Sequence, residues 1–249
     1  GLRIVVMFAG ILCIALGIAL AKLAATGTAP ISSMPAVLTE MSERFGIPMT
    51  MGTWTFVFNM VFFLVEVALL RGGFHPVQLL QIPLFLVLSV AVDLWLSLLS
   101  SIPPQTYPEQ LLYLGISILA LGFGIRVQLA SDLLMTPGDA VVQAIAYVSK
   151  RPFGTCKVIW DITLVCFAAM ISFLLLGGLY QVREGTVIAA LLVGSVVKLC
   201  SKAFAPLAWL VPEASHRRIP SLCPVDAEVG TDMPSRSRTA DTEESRILT

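Results

Sequence analysis

Six apolar runs, each close to the length a helix needs to cross a lipid bilayer, constrain this chain more than any other feature. They cover Ile4 to Leu23, Thr53 to Leu70, Val77 to Leu99, Leu111 to Leu129, Val158 to Tyr180, and Gly185 to Leu199. A hydrocarbon core of about 30 Å takes roughly 20 mostly apolar residues in helical form. Backbone polar groups find no water there and must bond within their own segment, which a helix does. The expectation is an all-α integral membrane protein of about six transmembrane helices. Composition agrees: 57% of residues are hydrophobic and 13% charged, whereas soluble domains carry about 25% charged residues. The last 37 residues, from Glu213, hold 12 of the 32 charged side chains, so the apolar part is poorer in charge than the average indicates.

The two halves read as copies of one three-helix unit. At an offset of 105 residues, Gly10, Ile11, Ala15, Leu16, Gly17 and Ala25 recur as Gly115, Ile116, Ala120, Leu121, Gly122 and Ala130. Gly72, Gly73 and Val77 recur as Gly177, Gly178 and Val182, and Gly52-Thr53 as Gly154-Thr155 at a slightly different offset. An odd number of crossings per copy turns the second copy upside down, which is the inverted-repeat plan of many secondary transporters. The domains expected are a first repeat over residues 1–105, a second over 106–212, and a polar tail over 213–249 that lacks the apolar residues to fold alone.

Each repeat carries a break after its first helix, then a short amphipathic helix. In the first, Thr26 to Ser33 contains Pro30; Ser32 or Ser33 is placed to cap, Met34, Val37, Leu38, Met41 and Phe45 recur at helical spacing, and Gly46 ends the helix. In the second, Asp132 to Asp139 contains Pro137; Asp139 is placed to cap, Val141, Val142, Ile145 and Val148 form the stripe, and Pro152 stops it. Polar faces such as Glu40, Glu43 and Arg44 favour helices lying flat at the interface. The alternative is that they dip into the protein, with their broken backbones shielded from lipid.

Lys and Arg set the orientation. With the N-terminus inside, Arg3, Arg71, Lys150, Arg151, Lys157, Lys202, Arg217 and Arg218 face the cytoplasm, while the opposite side gets Lys22, Arg44 and Arg183 and its loop from Ser100 to Gln110 has no basic residue. Basic residues concentrate on the cytoplasmic side of membrane proteins, so both termini are expected there.

The order of glycine-marked helix, Pro-containing break, amphipathic helix, Gly-Thr helix start and Gly-Gly resembles the YczE/YyaS/YitT-type bacterial membrane proteins, a family of largely unassigned function. The residues carrying the resemblance are Leu16-Gly17, Gly27 to Ser32, Gly52 to Trp54, Asn59, Leu121-Gly122, Asp132 to Asp139, Gly154, Lys157, Asp161 and Gly177-Gly178, within about residues 5 to 205. The family usually has an acidic residue where Ser32 stands and a glycine where Leu134 stands. The resemblance implies a bacterial inner-membrane protein and names no substrate.

Candidate ligand-binding residues are Pro30, Ser32 and Asn59 from the first repeat, and Pro137, Asp139, Lys157 and Asp161 from the second. Helix starts carry unpaired N–H groups and a partial positive charge. Lys157 and Asp161 lie one helical turn apart, and charged groups at such depth point into protein or a wet cavity. Asp93 and Glu66 also interrupt apolar runs, and Lys198 is the expected partner of Glu66. Pro83 should kink the third helix. The paired glycines, Gly10 with Gly17 and Gly115 with Gly122, should let helices approach closely. No motif of a familiar catalyst occurs, so an enzyme is not expected, nor is a cofactor or a metal. The function expected is transport or binding of a small polar solute between the repeats. The competing expectation is a non-transporting protein that assists a partner. The partners expected are the lipid bilayer, a small polar solute, and either a second copy of the chain or another membrane protein; nucleic acid is not among them.

Overall fold

A computed structural model describes residues 2–70, 76–130, 136–151 and 153–203. The expectations placed on Arg71, Gly72-Gly73, Asp132 to Met135, Pro152 and the polar tail lie outside these residues, and so does the side chain of Lys198.

Among the described residues eight α-helices follow in order: α1 Leu2–Ala24, α2 Pro30–Phe45, α3 Met51–Leu70, α4 Gln81–Leu99, α5 Tyr107–Ala130, α6 Pro137–Ser149, α7 Phe153–Leu176 and α8 Glu184–Ala203, with a short 3-10 helix, Pro76–Leu80, leading into α4. Among the described residues α1, α3, α4, α5 and α7 are long and apolar enough to cross a membrane, and Glu184–Val197 of α8 forms a shorter apolar helix. The protein is thus helical and built for a bilayer. The large side chains facing outward, such as Leu64, Val90, Leu119, Phe173, Leu174 and Leu191, are those lipid would cover.

Pro83 does not kink α4. The helix starts at Gln81, which puts Pro83 in the first turn, where an N–H would lack an intrahelical partner anyway.

The helices pack as two groups. In one, α1 and α5 lie against each other, α4 covers α1 and α8 covers α5; in the other, α2, α3, α6 and α7 form a ring in which each contacts the next. The groups join where α3 packs on α4. Gly10 lies against Gly124 and Gln128, and Gly17 against Leu121, while Ala24 shares a cluster with Leu114. Rising numbers on α1 meet falling numbers on α5, so the two run antiparallel. Glycine is required there: a Cβ on Gly10 would stand 2.8 Å from the Gln128 backbone nitrogen. Gly115 behaves differently, with no atom near its missing Cβ; the close approach expected of it is made by Gly124 instead.

The short helices do not lie flat. In α2, Pro30 and Ser32 through Val37 are buried in succession, and in α6 so are Pro137, Gly138 and Ala140 through Ala144. Burial on consecutive residues covers all sides of a helix, which a helix lying on a surface cannot achieve.

Candidate functional site

Both short helices start on proline. Pro30 and Pro137 each occupy the first turn, after Ala29 and Thr136 in extended conformation. A proline fits there because its φ suits the helix and its missing N–H is not needed. The expected caps shift accordingly. Ser32 and Ser33 sit inside the first turn of α2 and donate to the carbonyls of Ala29 and Pro30, at 3.0 and 2.7 Å. Asp139 is the third residue of α6, and its carboxylate accepts from the Thr136 hydroxyl at 3.0 Å.

The two starts meet. Ile31 packs on Gly138 so closely that a Cβ there would lie 1.8 Å from its terminal carbon. Around this contact Phe62, Val141 and Leu164 form a buried cluster with Ile31, Phe58 and Trp160 against it. Phe62 and Trp160 stand edge to face with centroids 5.7 Å apart, so an apolar plug fills the ring where the helix starts converge.

Beside the plug lies a charge triad. Lys157 Nζ is 3.0 Å from Asp139 and 3.1 Å from Asp161, with the three side chains 29, 26 and 23% exposed. At that exposure the ions are partly desolvated, which strengthens their attraction beyond that of surface pairs. One lysine facing two aspartates leaves a formal charge of −1. Among the described residues Trp160 Nε1, one position before Asp161, is buried without a hydrogen-bond partner.

The structure therefore unites Asp139, Lys157 and Asp161, and brings the Pro30 and Pro137 breaks together. Asn59 and Ser32 do not join the triad. Asn59 is buried on α3 and donates to its own helix at Thr55 O, 2.8 Å, and Ser32 turns back on Ala29. Trp160 and Thr136 belong to the site and were absent from the sequence-based set, although Thr136 directly before Pro137 carries a cap signature.

Two other polar positions have clear roles. Asp93 caps α3 from the neighbouring helix, accepting from Gly52 N–H at 2.7 Å and from the Thr50 hydroxyl at 2.6 Å. Glu66 is fully buried and accepts from the Gln78 and Gln81 amides at 3.1 and 3.4 Å.

Residues 1–202 match the family of unknown function DUF6198. The chain belongs to that family. No curated protein and no solved structure matches it significantly. Family membership agrees with the resemblance in pointing to a group without an assigned activity, and does not carry the YczE/YyaS/YitT name.

Proposed function

We propose that this DUF6198 protein is a small transporter, or the solute-binding membrane subunit of one, that handles a small polar solute between two inverted repeats. The observation that carries the reading is the Asp139, Lys157 and Asp161 triad, set beside the point where the α2 and α6 starts meet inside a helical ring. Broken helices meeting within a repeat interface are how many transporters make their sites.

The helix packing supports the inverted repeat. Exchanging α1 with α5, α2 with α6, α3 with α7 and α4 with α8 turns the α1–α4 contact into α5–α8, α2–α7 into α6–α3, and α2–α3 into α6–α7, while the α3–α4 contact has no counterpart of similar extent between α7 and α8. The α1–α5 pair maps onto itself, and its antiparallel course is what inversion requires. With the basic-loop bias, this reading gives six crossings, both termini cytoplasmic, in a bacterial inner membrane, and a relationship to the YczE/YyaS/YitT-type proteins.

The charge of the triad favours a zwitterionic or cation-coupled solute over a bare anion, because Asp139 and Asp161 repel one. Access requires the Phe62 and Trp160 plug to part. Proteoliposomes holding the purified protein, supplied with a panel of radiolabelled zwitterionic and cationic solutes, test the reading. Uptake of at least one, abolished by Asp161→Asn with membrane yield unchanged, is the expected result. Uptake unaltered by that substitution removes Asp161 from the site. No uptake of any solute favours the second role, a non-transporting protein that assists a partner.

A further inference from the structure

Three threonines and a glutamine at the other end of α1 are buried with hydrogen-bonding atoms left over. Thr26 and Thr28 are fully buried, Thr186 is 1% exposed and Gln181 8%. Among the described residues Thr26 Oγ1, Thr28 Oγ1, Thr186 Oγ1 and Gln181 Oε1 all lack a hydrogen-bond partner. They belong to two crossing segments, the α1–α2 connection and the approach to α8. Thr28 N–H donates to Gln181 O at 3.2 Å, and Gly185 N–H to Thr26 O at 3.0 Å. Gly27, at φ +129°, lies so close that a Cβ on it would be 2.6 Å from Thr186 Oγ1. A buried polar atom without a partner costs about 1–3 kcal/mol, and four at one crossing call for a common explanation.

We propose that this crossing is a binding site for a hard monovalent cation of the sodium or potassium kind, with Thr26, Thr28, Thr186 and Gln181 as oxygen ligands. Gln181 decides against an anion. Its Nε2 faces Glu40 at 3.5 Å, so the free atom is the carbonyl oxygen, which only accepts. Two first-turn donors of α8 are engaged, since Gly185 N–H goes to Thr26 O and Thr186 N–H to Arg183 O. A set of neutral oxygens suits a monovalent ion, whereas calcium sites draw on carboxylates and softer metals on nitrogen or sulfur. Backbone that leaves helical form beside a helix end is where transporters hold coupling ions. An open depression lined by Glu40, Glu43 and Arg44 adjoins the site through Glu40. Lys22 pairs with both acids, at 3.9 and 3.1 Å, and Arg44 donates to Leu176 O.

The proposal is independent of the solute site and is tested apart from it. Purified full chain in detergent is titrated with 22Na+ and with 86Rb+ in choline chloride, and its melting temperature is followed in sodium chloride, potassium chloride and choline chloride. Saturable retention of either isotope, with a melting temperature that rises with the same cation and is unchanged when gluconate replaces chloride, is expected. Thr186→Val should weaken binding at least about tenfold, a loss that even outer-shell partners of a metal site produce, and Thr186→Ser should keep it. Should the valine variant fail to fold, the wild-type isotherm remains decisive, with Thr28→Ala expected to weaken binding as Thr186→Val does. Absence of retention for both isotopes, or a stability that follows chloride, overturns the proposal and leaves buried water as the partner of these atoms.

Discussion

Lys157→Met isolates the electrostatic role of the triad. Both carboxylates lie within 3.1 Å of one ammonium, so their nearest oxygens are no more than about 6 Å apart. At an effective dielectric of about 20, two like charges at that distance repel by about 3 kcal/mol. Water reaches the roughly quarter-exposed side chains and screens part of this, and a proton taken up by one acid relieves more. The net cost expected is about 1–3 kcal/mol, below the 3–5 kcal/mol seen when a fully buried pair loses one partner. For a chain of this size that is a fall in melting temperature of roughly 2–10 °C, read by differential scanning fluorimetry in detergent. The triple variant Asp139→Asn, Lys157→Met, Asp161→Asn keeps the shape and removes the charge, and should recover at least half of the loss. If the triple variant melts as low as Lys157→Met, the lysine acts by packing and the electrostatic account fails.

The remaining predictions use the same melting assay or a labelling experiment. Asp93→Ala should cost about 1–2 kcal/mol through the lost cap of α3, and Asp93→Asn less, because an amide oxygen still accepts from Gly52; no loss in Asp93→Ala would show that the cap contributes nothing. Gly10→Ala should destabilise by about 1–3 kcal/mol by forcing α1 from α5, while Gly115→Ala, with open space at its Cβ, should be neutral or gain up to about 1 kcal/mol of helix propensity. A cysteine at Gln105, in the α4–α5 connection, should react with an impermeant maleimide from the side opposite to one at Gly73; labelling of both from one side refutes six crossings with an inverted second repeat.

Much of the fold was legible because it is local. Each long apolar run became a helix within a few residues of its expected ends, and the fifth shows the limit: expected from Val158 to Tyr180, it starts at Phe153 and stops at Leu176, where Gly177 turns left-handed at φ 70°. Of the site, the Lys157 and Asp161 pair was legible from its one-turn spacing. Asp139 joins them only because α6 packs on α7, which spacing along the chain does not encode.

What the sequence by itself determined is the solvent and the element type. Runs of bilayer length with hardly a charge can satisfy their backbones in lipid only as helices, and Pro30, Gly46 and Pro137 mark helix ends through fixed φ, a left-handed residue or an absent N–H. The tertiary structure alone decided which polar groups meet. Asp93 reaches the start of α3 from 41 residues away, Ile31 meets Gly138 across the two halves, and Thr26 faces Gly185 from the far end of the chain. Such contacts depend on how helices settle against one another. Gly124 was chosen over Gly115 for the α1–α5 contact because packing selects a helix face, and two glycines nine residues apart lie on opposite ones.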